Sequence, residues 1–121
     1  MFSIVVLKSL RGRRSNEMVR ETIMNFLQKL WHWGLCSNYY SWFHGLAGGI
    51  LAKVGLLVCT PLRSLLYVAL IALAWEVVEF FVECKGRWNI IIDIYGSKER
   101  WLYDSLGDVL IAIAFALVVI L

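Results

Sequence analysis

An apolar stretch from Leu73 to Glu83 constrains the fold most, because it carries acidic side chains in a segment hydrophobic enough to enter a bilayer. The acids Glu76, Glu79 and Glu83 follow i, i+3 and i+7, so a helix places them on one side. A carboxylate at bilayer depth costs a few kcal/mol unless it faces protein, water or a cation. The fold must therefore bring a compensating partner to these acids.

The composition is that of a membrane protein. Of 121 residues, 60% are hydrophobic and 17% are charged, and the mean hydropathy is +0.70, outside the usual range for a soluble domain. The basic residues flank apolar segments and no nucleic-acid-binding motif is present, so we expect no nucleic-acid partner. The cysteines form no C-x-x-C pair, and we expect free thiols at Cys36, Cys59 and Cys84.

Residues 1–42 form a basic N-terminal segment with one predicted amphipathic helix, from Glu17 to Trp33. Because this helix carries charges throughout and ends in tryptophans, we expect it to lie in the plane of the membrane interface. Packing on a soluble partner is the alternative. An aromatic belt from Ser37 to Trp42 follows it. The apolar face of the helix comprises Met18, Val19, Ile23, Phe26, Leu27, Leu30 and Trp31.

Residues 43–121 predict a membrane domain of three transmembrane helices, at about 43–60, 64–82 and 104–121. The first two should be antiparallel neighbours, because the Thr60-Pro61 pair suits a tight turn. The long connection that follows predicts a short interfacial or re-entrant piece around Trp88 to Tyr95. The predicted fold is therefore all-α and integral to the membrane, with three spans preceded by an amphipathic interfacial helix.

Glycines in the first predicted span favour close helix packing. Gly45, Gly48, Gly49 and Ala52 supply small-x-x-x-small spacings that let another helix approach. Three spans offer few internal partners for the polar groups, so we expect a homo-oligomer formed through this glycine face.

The distribution of basic residues predicts the orientation. Lysines and arginines are concentrated before the first span and in the long connection, whereas the short connection has only Arg63. The positive-inside rule then places the N-terminus and the long connection in the cytoplasm and the C-terminus outside. The expected location is a multi-pass membrane protein.

This topology brings the chemically interesting residues toward one membrane face: His44, Glu76, Glu79, Glu83, Asp104 and Asp108. With Glu83 and Asp104 at the interface, Glu79 and Asp108 lie about 6 Å deep and Glu76 about 10 Å deep. Lys53 lies about 13 Å deeper than His44, near the middle of the hydrocarbon core.

Two arrangements would satisfy these acids. In the first, Lys53 pairs with Glu76 inside the bundle and the other acids are hydrated at the rim. In the second, Glu79 and Asp108, with His44 or Asp104, line a cytoplasm-facing pocket for a cation. Carboxylates with one imidazole suit a divalent cation such as magnesium, manganese or zinc.

Candidate roles follow from the second arrangement. Glu79, Asp108 and Glu76 are the candidate catalytic residues, since clustered carboxylates can also act as a general acid and base. Glu79 is the acid with no evident structural partner. His44, Glu79, Asp104 and Asp108 are the candidate metal ligands. Candidate substrate contacts are Arg87, Arg100 and Lys53; the arginines suit bidentate binding of a lipid phosphate, although topogenic charge explains them equally well.

Several of these residues together resemble the VanZ-like family of small membrane proteins. The similarity lies in W-E-x-x-E at Trp75 to Glu79, Gly86-Arg87 in the loop, and Y-D-S-L-G-D at Tyr103 to Asp108, and it extends over about residues 43–121. It implies a compact helical bundle with acids in the final spans, in a family associated with glycopeptide-antibiotic resistance. The last helix here lacks the asparagine and glycine common in that pattern, and the chain has one span fewer.

Three functions remain open from the sequence. The first is a VanZ-like protein whose acidic site binds or processes a lipid-linked or envelope-related phosphate at the cytoplasmic leaflet. The second is a small ion or proton carrier gated by Lys53 and Glu76. The third is a non-catalytic assembly subunit of a membrane complex.

Overall fold

The computed structural model describes the backbone of residues 2–36 and 39–121 and the side chains of residues 11–36 and 39–121. These residues form α1 (Phe2–Lys29), a π-helix (Leu30–Leu35), α2 (Tyr40–Gly55), α3 (Pro61–Glu83), α4 (Trp88–Tyr95) and α5 (Lys98–Ile120). No strand occurs in the described part of the chain, which confirms the all-α class. Ser37 and Asn38 of the predicted aromatic belt lie outside the described residues.

Two helices, α3 and α5, are long and apolar enough to cross a bilayer. Each has 23 residues, with mean hydropathy 2.1 and 2.0 in the most apolar window. Helix α2 has 16 residues, a rise of about 24 Å against a hydrocarbon core of about 30 Å. Two of the three predicted spans therefore meet the length requirement as helices.

Helix boundaries depart from the predicted ones where polar residues cap a helix or turn the chain. α2 ends at Gly55 instead of Thr60, because backbone N–H groups of the next residues bond back to Ala52, Val54 and Gly55 in a turn. α5 begins at Lys98 instead of near Asp104, because Ser97 accepts a hydrogen bond from the Arg100 N–H at 3.1 Å. Such a cap allows polar residues to start a helix before its apolar part.

Helix α1 is longer than the predicted Glu17 to Trp33 segment. It runs through the basic sequence around Arg13 without interruption and then continues as the π-helix to Leu35. Arginine is a good helix former, and a single glycine such as Gly12 costs a helix only about 1 kcal/mol. Apolar side chains of α1, including Met18 and Ile23, are exposed.

Helix α5 forms the centre of the bundle, and small residues bring its neighbours close. A Cβ atom added to Gly48 of α2 would lie 2.8 Å from the Cα of Ala112, and one added to Gly34 of the π-helix would lie 3.3 Å from the Cα of Gly107. The glycine face of α2 therefore packs on α5 of the same chain. The expected homo-oligomer through this face stays a prediction.

Helices α2 and α3 are antiparallel neighbours, as predicted. The Ser64 hydroxyl donates to the Ala52 carbonyl at 2.9 Å near their connection, and His44 meets Glu79 near their other ends. Ala52, Val68, Ala112 and Ala116 form the buried core between α2, α3 and α5. The outward faces are apolar as well, with Leu66, Leu70 and Leu73 of α3 all more than half exposed.

Helix α4 coincides with the predicted piece from Trp88 to Tyr95. It ends at Gly96, whose φ of 87° lies in the left-handed region where glycine carries no side-chain penalty. Phe80, Trp88 and Trp101 contact one another with ring centroids 5.2 to 5.7 Å apart. This aromatic cluster fixes α4 against α3 and α5.

Candidate functional site

Side chains from α2, α3 and α5 converge at one end of the bundle. The Nε2 atom of His44 lies 3.5 Å from Oδ2 of Asp108 and 3.9 Å from Oε1 of Glu79. One ligand atom each from His44, Glu76 and Glu79 lie within 4.8 Å of one another. The structure thus brings together His44, Glu76, Glu79 and Asp108, which we call the acidic site.

Two carboxylate oxygens of the acidic site have no hydrogen-bond donor among the described residues. They are Oε1 of Glu76 and Oδ1 of Asp108, both shielded from solvent. Asp108 as a whole is only 5% exposed. Buried polar atoms are nearly always hydrogen-bonded, so these two oxygens are available to a ligand that the described side chains do not provide.

Glu79 has a structural partner that we did not expect. The indole N–H of Trp75 donates to its Oε1 at 2.6 Å. The interpretation of Glu79 as the unpartnered acid was therefore wrong; Glu76 and Asp108 instead each have one carboxylate oxygen without a donor among the described residues. The signal was present in the sequence, because Trp75 and Glu79 are four residues apart and share a helix face.

Lys53 does not compensate Glu76, contrary to one of the two arrangements. Lys53 is exposed and forms no ion pair with any of the described acids. Ala52 bonds to Ser64, and from Ser64 to Glu76 the helix rises about 18 Å. The two side chains therefore lie at different levels of the bundle, because the relative depth of two residues depends on how α2 and α3 align along their length.

Serines support the acids from neighbouring elements, and the sequence did not point to them. Ser105 of α5 hydrogen-bonds the Glu76 side chain, and Ser41 lies beside the carboxylate of Asp108. The Ser41 hydroxyl also approaches the Gly34 carbonyl at 3.5 Å. The backbone of the π-helix is thus linked to Asp108 through Ser41.

Asp104, Glu83 and Tyr95 surround the mouth of the site. Asp104 is 8% exposed, and the Tyr95 hydroxyl lies 3.5 Å from Oε2 of Glu83. Burial, together with the charge of Glu83, raises the pKa of the Tyr95 hydroxyl. Tyr95 therefore remains protonated and acts as a hydrogen-bond donor toward the acids.

The predicted substrate-binding cations lie outside the site. Arg87 and Arg100 are exposed, and neither they nor Lys53 line the cavity next to the acids. Arg100 is close enough to influence Asp104 through its charge. The role of these three residues as substrate contacts therefore stays a prediction.

A cavity of about 520 Å³ opens from the acidic site and continues between α2 and α3. His44, Glu79, Asp104 and Asp108 line one end. We call the apolar part of the cavity the apolar arm; it is lined by Phe43, Ala47, Gly48, Leu51, Val68, Ile71, Ala72, Trp75 and Ala112. A largely apolar cavity with convergent polar groups at one end has the general form of a small-molecule site.

The ligand set has the chemistry of a divalent cation site. Carboxylate oxygens and one imidazole nitrogen suit magnesium, manganese or zinc, with the imidazole favouring the transition metals. His44, Glu76 and Glu79 are already within the span that a single ion bridges. Asp108, beside His44, would supply a further oxygen.

Searches against protein-family models, curated proteins and solved structures found no match to this chain. The VanZ-like resemblance therefore stays a prediction from the residues that carry it. A function for this chain must be argued from the acidic site and the cavity.

Proposed function

We propose that this chain is a VanZ-like membrane protein whose acidic site binds a divalent cation and, through it, a phosphate-bearing lipid at the cytoplasmic leaflet. In this proposal α2 and the following turn to Thr60 complete a third span beside α3 and α5. The apolar outward faces of the bundle support a bilayer environment, because soluble proteins rarely expose contiguous apolar surfaces.

One observation carries the proposal. His44, Glu76 and Glu79 place ligand atoms within 4.8 Å of one another, while Oδ1 of the adjacent, buried Asp108 has no donor among the described residues. Carboxylates in close proximity repel one another, and a cation bound between them removes both the repulsion and the missing hydrogen bonds.

The charge of the site also decides how a phosphate would bind. Glu76, Glu79, Asp104 and Asp108 would repel a phosphate from the cavity mouth in the absence of a cation. A bound cation reverses the local charge and gives the phosphate oxygens a ligand position. We therefore propose cation-bridged binding, with Arg87 and Arg100 attracting anionic headgroups to this side of the membrane.

Processing of the ligand would use the same residues. A cation held by His44 and the carboxylates would supply Lewis-acid polarisation of a phosphate oxygen, and whichever of Glu76, Glu79 and Asp108 did not hold the cation would accept a proton from water as a general base. Trp75 orients Glu79 through its indole hydrogen bond. The proposal requires binding and allows this hydrolytic step.

The test is the cation dependence of phosphate binding. The full chain in phosphatidylcholine nanodiscs is titrated with butyl phosphate, with and without Mn²⁺, and broadening of the phosphorus NMR signal reports phosphate beside the metal. We expect the wild type to broaden the phosphorus signal in the presence of Mn²⁺ and Glu79→Gln to leave it sharp. Equal broadening with Glu79→Gln, or phosphate binding that needs no cation, would contradict the proposal. Glu99→Gln, an exposed acid on α5, is the matched control.

A further inference from the structure

The apolar arm is continuous with the acidic site, and its lining changes character along its length. The cavity is polar near His44, and toward Leu51 and Val68 its lining side chains are apolar. From Glu79 to Val68 helix α3 extends about 16 Å. A ligand that fills the whole cavity must therefore be polar at one end and hydrocarbon over most of its length.

The far end of the arm lies against the core of the bundle. Ser64 bonds to the Ala52 carbonyl at 2.9 Å and holds α2 against α3, and Val68, one turn later, is 1% exposed. Val68 is the lining residue of α3 farthest from Glu79, and it belongs to the buried core with Ala52, Ala112 and Ala116.

Small side chains keep the arm open along its middle. Ala47 of α2 and Ala72 of α3 line it where larger residues would fill it. Ala112 of α5 lines it as well, and the whole cavity of about 520 Å³ has the size of a site for one small ligand. The rest of the outward surface of α3 carries large residues such as Leu70 and Leu73.

We infer that the apolar arm binds a single hydrocarbon chain and that Ala72 sets the space for it, so that the ligand class is a single-chain phosphate monoester. The inference rests on the proposed function for the phosphate end. It adds that the ligand carries a hydrocarbon chain, that there is only one such chain, and that Ala72 limits the space for it. A two-chain phospholipid does not fit this slot with both chains.

The test compares alkyl phosphates of increasing chain length. The full chain in phosphatidylcholine nanodiscs with bound Mn²⁺ receives inorganic phosphate, butyl phosphate, octyl phosphate or dodecyl phosphate, and phosphorus broadening gives each affinity. We expect affinity to rise by up to about fourfold for each methylene buried, and then to level off when the arm is full. Phosphatidic acid added to the nanodisc should not displace dodecyl phosphate.

Ala72→Phe fills the arm one helical turn away from Glu76 and replaces none of the acids. It should leave affinities for Mn²⁺ and inorganic phosphate unchanged and remove most of the gain from a long chain. Ala74→Phe places the same side chain on the exposed side of α3, outside the cavity lining, and should behave as wild type. If Ala72→Phe shows no cooperative thermal unfolding transition, Ala47→Leu is used in its place to fill the arm.

The outcomes separate the two claims. If Mn²⁺ and butyl phosphate bind but chain length has no effect, or if Ala72→Phe and Ala74→Phe behave alike, the inference about the arm is overturned and the proposed function stands. If phosphatidic acid displaces dodecyl phosphate with equal affinity, the single-chain assignment is overturned. If neither Mn²⁺ nor inorganic phosphate binds, both claims are overturned.

Discussion

Helices α3 and α5 are alike in length and hydropathy, but α3 lies at the periphery of the bundle and α5 at its centre. Both have 23 residues and nearly equal hydropathy, yet 6% of the apolar window of α3 is buried and 44% of that of α5. The difference arises from small residues: α5 presents Gly107 and Ala112 to its neighbours, whereas α3 presents leucines to its surroundings. Close backbone approach, more than hydropathy, determines which helix becomes the centre.

The same difference divides the acidic site. Asp108 comes from the central helix and is 5% exposed, while Glu76 and Glu79 come from the peripheral helix and are half-buried. His44 on α2 touches both halves. We therefore expect the α5 half to be the fixed one and the α3 half to depend on local supports such as Trp75.

The largest expected effect is on the close contact between α2 and α5. Gly48→Ala places its Cβ against the Ala112 backbone, 2.8 Å from the Cα, and backbone cannot yield as a side-chain end does. We expect a loss of about 3 kcal/mol, the upper part of the range for overpacking. Reversible unfolding of the purified chain in mixed micelles measures it.

Gly49→Ala is the matched control one residue away. Its Cβ would lie 3.5 Å from Val119 Cγ2, an ordinary contact, and alanine favours a helix over glycine by about 0.5–1 kcal/mol. Gly49→Ala should therefore be neutral or stabilising. Equal losses for the two variants would show that α2 does not pack on α5 in this register.

The second prediction concerns two substitutions, each of which replaces an acid in one half of the acidic site by its amide. Asp108→Asn and Glu79→Gln should each lower the affinity for Mn²⁺ at least about tenfold, equivalent to about 1.4 kcal/mol. Asp108→Asn should not lower stability, because it removes a buried charge with an unpartnered oxygen. Calorimetric titration and thermal unfolding give the two quantities. Asp93→Asn, an exposed acid on α4, controls for net charge.

The third prediction concerns the support of the peripheral half. Trp75→Phe removes the N–H donor that bonds Glu79 at 2.6 Å and should reduce Mn²⁺ affinity about two- to tenfold, the range for one hydrogen bond. Trp42→Phe alters a comparably exposed tryptophan that contacts Phe115 and lines no part of the cavity. A Trp75→Phe protein with wild-type affinity would mean that Glu79 needs no positioning.

The smallest effect is expected where α1 meets the start of α5. Lys29 pairs with Glu99, and this hydrogen bond raises the pKa of the Lys29 ammonium. The pair therefore stabilises the fold below the ordinary lysine pKa, and its contribution disappears as the pH rises through the raised value. Lys29→Met should have a slightly lower melting temperature at neutral pH and no deficit in strongly alkaline buffer. A deficit that grows with alkalinity would contradict this assignment.

Periodicity and spacing were sufficient to predict the elements that depend on local sequence. The hairpin of α2 and α3, the piece from Trp88 to Tyr95 and the meeting of His44, Glu79 and Asp108 all follow from helical faces and short connections. The depth of Lys53 relative to Glu76 could not be predicted in this way, because it depends on how two helices align along their length. The early end of α2 depends on turn hydrogen bonds, and the contact of Gly34 with Gly107 depends on the π-helix, which no local pattern marks.

The most direct test of the acidic site is Mn²⁺ binding to the full chain followed by electron paramagnetic resonance. The account predicts one tightly bound ion per chain in the wild type, with hyperfine coupling to the imidazole nitrogen of His44 that is lost in His44→Gln, and a substantially lower affinity in Asp108→Asn. Binding that survives both substitutions unchanged, or a bound ion with no nitrogen coupling, would contradict it.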